Sequence, residues 1–344
     1  MCHILLSIDT SFMDDIDWPG ELVEWHVGRG VVDQPIYPRV DAWVVDPSTK
    51  VDNRALSFLP HLEVIVTAST GTNHIDIDDL GIAVYSLLDD RDALAEIRAS
   101  SEFTFLLMLM VLRNAHIGIE EVKLGRWKEN ERLLRGNELY GKTVGIIGLG
   151  RIGSNIARWC SAFGVERVLV CDPELGHPDL DTVMSESDVI VVSCSLNEST
   201  KDLISYRKLC KIRENCTLIN TSRGEVIVED DLARLLLKRP DIRVGIDVLR
   251  GEVYGAHLTS PLRQFNNVVI TPHMAGLTYE SNEKAARIAA DLLRRHYDEY
   301  DDREGSRTVL QGSEEEAEEV REVLRGYQSI KKKLERIWRN RCRR

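Results

Sequence analysis

The sequence contains no uninterrupted apolar stretch of about 18 residues, the length that a membrane-spanning helix requires. Its longest apolar run, residues 103–112, is too short for that purpose and is typical of a buried helix. The first nine residues reach an acidic side chain without a positively charged lead, which favours a first β-strand over a signal peptide. We therefore expect no membrane partner and no secretion.

An excess of positive charge is missing as well. The 344 residues carry 44 lysines and arginines against 56 aspartates and glutamates, and the formal net charge is −12. Nucleic acids and anionic membranes attract basic surfaces, so this balance argues against both as partners of the whole chain. A local positive site for a small anionic substrate is compatible with it.

Closely spaced cysteine pairs are also absent. The seven cysteines are odd in number and form no C-x-x-C motif, and several lie in apolar patterns where a reduced cysteine behaves as a small hydrophobe. We expect a reducing, cytoplasmic location. No metal-ligand spacing such as H-E-x-x-H occurs, so the sequence predicts no metal site.

Short β-rich runs alternate with helical patterns along most of the chain, which predicts an α/β fold with parallel sheets covered by helices. The pattern indicates two such units in tandem. The predicted strands are 4–7, 42–45, 64–67 and 83–87 in the first unit, and 143–147, 167–172, 189–193, 217–220, 243–247 and 268–271 in the second. We predict a substrate domain at 1–100 that is completed by a return helix at 275–300, a nucleotide-binding domain at 101–274, and a charged helical extension at 301–344.

A glycine-rich turn with the spacing G-x-G-x-x-G joins the first strand of the second unit to a helix. Gly148 permits a tight turn, Gly150 lets the backbone approach a pyrophosphate, and Gly153 lets the helix pack closely on the strand. The helix N-terminus favours an anion. The turn therefore predicts a dinucleotide-binding site.

Asp172 follows this turn by about twenty residues, at the end of the next predicted strand. A carboxylate at that place accepts hydrogen bonds from the adenosine ribose and repels a 2′-phosphate, which favours NAD over NADP. The alternative is a turn residue before Pro173.

Three later strands each end near a reactive side chain: Arg223, Glu252 and His273. Ligands gather at the carboxyl ends of strands in an open parallel sheet, so these groups can converge on one crevice. An arginine holds a carboxylate with two parallel donors, and a histidine beside a carboxylate exchanges a proton near neutral pH. Singly, they could instead be a surface ion-pairing residue, a solvated loop acid and a helix cap.

Four segments together resemble the D-isomer-specific 2-hydroxyacid dehydrogenase family. They are GLGRIG at 148–153, NTSRG at 220–224, GIDV at 245–248 with Glu252, and TPHMAG at 271–276. The resemblance extends over roughly residues 40–295. It implies two Rossmann-like domains, a doubly wound NAD-binding domain and a flavodoxin-like substrate domain. It also implies hydride transfer between NAD(H) and a small D-2-hydroxy or 2-oxo acid.

The resemblance further implies roles for individual residues. Arg223 would bind the substrate carboxylate and oxo group, His273 would be the acid/base, and Glu252 would orient His273. Backbone amides of the loop 69–76 would hold the carboxylate, with Thr70, Gly71 and Thr72 as the substrate-binding residues. The implied NAD contacts are Gly148, Gly150, Arg151, Ile152, Gly153, Asp172, Ser195, Thr221, Ser222, Asp247, His273 and Gly276, with Asp247 facing the nicotinamide amide. His74, in the same loop, either contacts substrate or is structural.

The family implies a homodimer built around the helix that contains Ser101, Glu102 and Phe103. Two positions depart from the usual pattern, because Ser195 stands where a proline is common and Ala275-Gly276 stands where two glycines are usual. The sequence leaves open which acid is the substrate and whether it is phosphorylated. A formate- or phosphite-type dehydrogenase and an NAD(H)-sensing regulatory protein are the alternative functions, and the intact acid/base pair weighs against the second.

Overall fold

The structure, a computed structural model, describes residues 2–8, 16–23, 40–78, 81–172, 179–252 and 259–304. The chain divides into two compact units, Met1–Arg294 and Arg295–Arg344, and the site described below lies in the first. The predicted helical extension lies outside the described residues from 305 onward.

The first sheet has five parallel strands in the order β2-β1-β3-β5-β7. Its strands are β1 (His3–Ser7), β2 (Glu21–Val23), β3 (Ala42–Val45), β5 (Val64–Thr67) and β7 (Ala83–Ser86), and a separate pair is formed by β4 (Val51–Asp52) and β6 (Ile75–Asp76). β3 and β5 are buried along their whole length, which is typical of the centre of a parallel sheet covered on both faces. The four predicted strands are confirmed, while β2, β4 and β6 were not predicted.

The second sheet has six parallel strands in the order β13-β12-β11-β10-β8-β9. They are β8 (Thr143–Ile147), β9 (Arg167–Cys171), β10 (Val189–Val192), β11 (Thr217–Asn220), β12 (Arg243–Ile246) and β13 (Val268–Ile270). The strand order reverses at β8, because the chain places β9 on one side of it and β10 on the other. In a doubly wound sheet the ligand crevice lies at such a switch point, outside the carboxyl ends of the strands. The predicted α/β fold is confirmed.

Ten α-helices accompany these sheets in the described residues. They are α1 (Asn53–Leu56), α2 (Arg91–Ala95), α3 (Ala99–Leu112), α4 (Ala115–Lys123), α5 (Glu131–Leu134), α6 (Arg151–Ala162), α7 (Leu180–Glu186), α8 (Tyr206–Leu209), α9 (Glu229–Leu236) and α10 (Tyr279–Glu304). α3 packs on β12 at Gly245, where an added Cβ would lie only 3.0 Å from the side chains of Leu107 and Val111. Among the described helices, none is by itself long and apolar enough to cross a membrane. Only the segments Arg91–Leu112 and Ala115–Lys123 taken together, across a 70° bend, meet the criterion of length and composition.

Candidate active site

The glycine-rich turn after β8 has the close approaches that its spacing predicts. Gly148 has a φ of +93°, and an added Cβ would lie 2.6 Å from the backbone of Cys194. An added Cβ at Gly153 would lie 2.1 Å from the carbonyl oxygen of Gly148, so α6 can pack here only through a glycine. Both positions therefore exclude a side chain for reasons internal to the protein.

Gly150 differs from these two, because an added Cβ would meet no protein atom within 4 Å in the described structure. It is the N-cap residue of α6, and no side chain caps that helix. Open space beside uncapped N–H groups at a helix N-terminus fits the pyrophosphate of a dinucleotide. The turn therefore suits NAD on structural grounds as well as by its spacing.

Asp172 lies directly beside the same turn. Its Oδ2 accepts a hydrogen bond from the N–H of Leu149 at 2.6 Å, and the residue is 9% exposed. A carboxylate has about four acceptor positions, so this bond is compatible with further bonds to ribose hydroxyls. Pro173, on which the alternative interpretation depends, lies outside the described residues.

Four other residues predicted to contact NAD occupy varied positions. The Arg151 guanidinium donates to the carbonyl of Ile97, which leads into α3, and burial lowers the pKa of Arg151. Ile152 is half-buried in the cluster beneath α6, whereas Ser195 is exposed and its carbonyl accepts from the Thr200 hydroxyl at 2.6 Å. Gly276 has ordinary room for a side chain. Their contacts with the cofactor stay predictions.

The turn that carries Arg223 is shaped by Asn220, which is 1% exposed at the end of β11. Its Oδ1 accepts from the N–H and the hydroxyl of Ser222 at 3.0 and 2.9 Å, and its Nδ2 donates to the carbonyl of Arg223 at 3.0 Å. The hydroxyl of Thr221 lies 2.6 Å from that of Thr104 on α3. Sequence reasoning did not single out Asn220, although its place in the NTSRG segment marked it.

The Arg223 guanidinium packs against the backbone of Gly71, a residue of the first α/β unit. A Cβ added to Gly71 would lie 2.2 Å from Nη2 of Arg223, so the glycine makes room for the guanidinium. Nη1 donates to the carbonyl of Ser222 at 2.7 Å. Burial lowers the pKa of Arg223, but a guanidinium stays charged at neutral pH.

The loop that contains Gly71 also has three successive backbone N–H groups without a hydrogen bond in the described part of the chain. Within the described residues, the N–H groups of Thr70, Gly71 and Thr72 donate to no protein acceptor. Consecutive unpaired N–H groups attract anions, and a guanidinium beside them adds a full positive charge. A small carboxylate is therefore chemically compatible with this loop, and its binding here stays a prediction.

His273 and Glu252 contact each other at the edge of the second sheet. The Nδ1 of His273 lies 2.5 Å from Oε1 of Glu252, and the other carboxylate oxygen accepts from the N–H of Leu249 at 2.7 Å. His273 has a φ of +50°, a left-handed backbone that is uncommon outside glycine and that often marks functional sites. The predicted acid/base pair is therefore in contact, with Nε2 as the ring nitrogen left for proton exchange.

Asp247 holds the loop that carries His273. The residue is fully buried, its Oδ1 accepts from the Thr271 hydroxyl at 2.5 Å and from the N–H of Met274 at 3.0 Å, and its Oδ2 accepts from the N–H of Ala275 at 2.8 Å. Both carboxylate oxygens thus accept hydrogen bonds from the 271–275 loop, and the implied contact of this side chain with the nicotinamide amide stays a prediction.

Glu229 is a residue that sequence reasoning missed. It is 9% exposed, and it accepts from the N–H of Arg250 at 2.5 Å and from the Ser260 hydroxyl at 2.7 Å. These contacts lie on either side of the segment that contains Glu252. In the sequence Glu229 is one of three acidic residues that begin α9, a pattern that indicates only a favourable helix dipole.

Comparison with known proteins agrees with this geometry. The family model described as "D-isomer specific 2-hydroxyacid dehydrogenase, NAD binding domain" matches residues 105–275. A glyoxylate reductase from Thermofilum pendens is 32% identical over 290 residues, which is 80% of this chain and 82% of that protein. This chain belongs to the D-isomer-specific 2-hydroxyacid dehydrogenase family. The predicted family is confirmed.

Two further similarities place this 2-hydroxyacid dehydrogenase among its relatives. The human glyoxylate reductase/hydroxypyruvate reductase is 35% identical over 261 residues, covering 72% of this chain and 77% of its own. The crystal structure of D-lactate dehydrogenase from Aquifex aeolicus, complexed with NAD and lactic acid, matches with a TM-score of 0.69 at 24% identity. The match covers 90% of this chain and all of that one, and supports the fold. The predicted cofactor, NAD, and the predicted class, an NAD-dependent dehydrogenase, are confirmed.

Proposed function

We propose that this dehydrogenase reduces a small 2-oxo acid of the size of glyoxylate or hydroxypyruvate with NADH to the D-2-hydroxy acid. The observation that carries the proposal is the Arg223 guanidinium packed on Gly71, beside three unpaired N–H groups. The names of the Thermofilum and human relatives, a glyoxylate reductase and a glyoxylate/hydroxypyruvate reductase, support the choice of a two- or three-carbon acid.

The carboxylate of the oxo acid would be bound from both α/β units. Arg223 would present two parallel donors from the second unit, and the amides of Thr70, Gly71 and Thr72 would donate from the first. The same guanidinium would stabilise the negative charge that develops on the oxo oxygen during reduction, which lowers the barrier more than it strengthens substrate binding.

The proton would come from His273. Nε2 of His273 would donate a proton to the oxo oxygen and be left as a neutral imidazole, and the hydride for the oxo carbon would come from NADH. Glu252 would hold the Nδ1–H and stabilise the protonated ring beforehand, given its 2.5 Å contact with Nδ1. Oxidation of the hydroxy acid would run the same proton transfer in reverse.

NAD would be held at the carboxyl end of β8. Gly148, Gly150 and Gly153 would accommodate the pyrophosphate at the start of α6, and Asp172 would accept from the ribose hydroxyls. A 2′-phosphate would meet the negative charge of Asp172 in a largely buried position, so we expect NADH to be preferred over NADPH.

A homodimer is also part of the proposal. α3, α4 and the residues after them expose a set of large apolar side chains that are each more than half accessible: Leu106, Ile119, Val122, Leu124 and Trp127. Apolar side chains that share one exposed region often mark a protein–protein contact, and a second copy of the chain is the partner we propose. Sedimentation of the purified protein as a monomer at micromolar concentration would contradict this part.

The activity is tested by following NADH absorbance with a panel of 2-oxo acids: glyoxylate, hydroxypyruvate, pyruvate, 2-oxoglutarate and 3-phosphohydroxypyruvate. We expect the highest kcat/KM with glyoxylate or hydroxypyruvate, and less activity when NADPH replaces NADH. The control is His273→Ala, which should lower kcat while NADH binding, followed by its fluorescence, is retained. A clear preference for the phosphorylated acid, or no oxidation with any of the five, would overturn the proposal.

A further inference from the structure

A chain of hydrogen-bonded hydroxyl groups joins the end of β5 to the loop that carries Gly71. Thr67, at the end of β5, is fully buried, and its Oγ1 lies 3.0 Å from Oγ of Ser69 and 3.0 Å from Nε2 of His74. The Ser69 hydroxyl in turn donates to the carbonyl of Gly71 at 2.7 Å. These hydrogen bonds thus join the imidazole of His74 to the carbonyl of Gly71, the residue that packs on Arg223.

Counting protons fixes the direction of this chain. A hydroxyl has one proton to donate, and that of Ser69 goes to Gly71, so the contact between Ser69 and Thr67 requires the proton of Thr67. Thr67 then has none left for His74, and its oxygen must accept. The remaining donor is Nε2–H of His74.

The environment of His74 agrees with a single proton on its ring. The residue is 3% exposed, and burial, assisted by the charge of Arg223 and opposed by Asp46, lowers the pKa of His74 to about 4. The ring is therefore neutral near pH 7, and a neutral imidazole has one N–H. The hydrogen-bond chain requires that this N–H be at Nε2.

The chain ends on a peptide group of the proposed carboxylate site. A trans peptide is planar, with its N–H antiparallel to its C=O, so holding the Gly71 carbonyl towards Ser69 turns the N–H of Thr72 away from Ser69. That N–H is one of the three without a protein acceptor. Fixing the carbonyl therefore fixes the aim of a proposed substrate donor.

We propose that His74 is a positioning residue, which donates its Nε2–H into the hydrogen-bond chain Thr67–Ser69–Gly71 and thereby sets the orientation of the 71–72 amide, next to the residue that packs on Arg223. The inference rests on the proposed function for the part that concerns substrate, and on geometry alone for the chain itself. His74 acts through Thr67 and Ser69 rather than by touching substrate. Of the two roles that the sequence left open for His74, contact with substrate and a structural role, the proposal favours the structural one.

The hydrogen-bond chain is tested first by a measurement that does not depend on enzyme activity. Nitrogen NMR spectra of the full-length protein, labelled with ¹⁵N at histidine, distinguish the two neutral tautomers of a ring, and the signals of His74 are identified by their loss in His74→Asn. We expect the Nε2–H tautomer at pH 7, with a hydrogen-bonded proton that exchanges slowly. Thr67→Val should abolish that protection and Thr67→Ser should keep it. A proton on Nδ1 would overturn the proposed direction.

The positioning role is tested by kinetics on the oxo acid that the panel identifies. Thr67→Val should raise KM roughly tenfold, about the contribution of one hydrogen bond, with a smaller effect on kcat and an unchanged Kd for NADH. Thr67→Ser should restore KM. The matched control is Thr217→Val, since Thr217 is a fully buried strand threonine whose hydroxyl has no partner in the described residues. It should leave KM unchanged.

These experiments separate the two proposals. If Thr67→Val abolishes the protection of the His74 Nε2–H but leaves KM unchanged, the hydrogen-bond chain exists and the positioning role is overturned. A wild-type enzyme that oxidises NADH with none of the acids would overturn the proposed function, and the tautomer measurement would still decide whether the chain exists.

Discussion

Two loops carry residues of the candidate site, and they are held in place by different kinds of hydrogen bond. The loop 271–276, which carries His273, is held by the carboxylate of Asp247 through three donors. The loop 69–74, which packs on Arg223, is held by a chain of neutral hydroxyls that begins at His74. One loop thus depends on a single buried charge, whereas the other depends on three uncharged side chains.

The difference follows from what each loop must hold. His273 adopts a left-handed backbone, which costs on the order of 1–3 kcal/mol for a residue other than glycine, and hydrogen bonds to a carboxylate are about twice as strong as neutral ones. The loop 69–74 contains Gly71 at its closest contact and carries no such strain in its described residues. The stronger hydrogen bonds, those to the Asp247 carboxylate, therefore hold the loop 271–276, which contains the strained residue His273.

The largest expected effect comes from Arg223, the residue of the second α/β unit that packs against Gly71 of the first. Arg223→Ala should lower kcat/KM by about 10³-fold or more, because the guanidinium would bind the carboxylate and stabilise the developing alkoxide. Arg223→Lys should recover only part, since an ammonium cannot present two parallel donors. Steady-state kinetics together with NADH titration would show this. Near-normal kcat/KM in Arg223→Ala would mean that Arg223 does not bind the substrate.

Removing the charge under the His273 loop should have the next largest effect. Asp247→Asn keeps the size of the side chain but turns one acceptor into a donor that faces a backbone N–H, so kcat should fall on the order of 10²-fold and the free energy of unfolding by about 2 kcal/mol. The control is Asp241→Asn, at the opposite end of β12 and paired with Arg239. It should leave kcat alone, and equal losses in the two variants would remove the special role of Asp247.

The loop 69–74 should make the free energy of unfolding depend on pH through His74. Because the pKa of His74 falls from 6.5 to about 4 in the folded protein, the unfolded chain takes up a proton first as the pH decreases, and stability is lost between those values. Between pH 7 and pH 5 this amounts to roughly 2 kcal/mol. Urea unfolding of wild type and His74→Asn at pH 7, 6 and 5 measures it. The variant should lose correspondingly less stability over this range, and parallel curves would contradict the buried neutral imidazole.

Much of this architecture could be predicted from the sequence, because buried parallel strands appear as apolar runs bounded by turn residues. All six strands of the second sheet were predicted in this way, and the chemistry of Arg223, Glu252 and His273 pointed to one crevice before any geometry was known. The short strands β2, β4 and β6 were missed, since two or three residues are too few to establish a periodicity.

The hydrogen-bond partners within the site were not predictable by the same means. Asp247 directly follows β12, at the carboxyl end of the parallel sheet, where a cofactor-binding role and a loop-anchoring role have the same sequence signature. The pairing of His74 with Thr67 depends on how the loop folds back over β5, which no local pattern encodes. Sequence motifs indicate which reactive side chains are present, and tertiary contacts determine the hydrogen-bond partner of each side chain.

The central claim, that a substrate carboxylate is bound jointly by Arg223 and the loop 69–74, is tested most directly by a crystal structure with NADH and oxamate, an unreactive analogue of a 2-oxo acid. We predict that the oxamate carboxylate lies within hydrogen-bond distance of the Arg223 guanidinium and of at least one N–H of Thr70, Gly71 and Thr72. The amide oxygen of oxamate, which takes the place of the oxo oxygen, should face Nε2 of His273. Oxamate bound away from Arg223, or bound with no contact to the loop 69–74, would contradict the account.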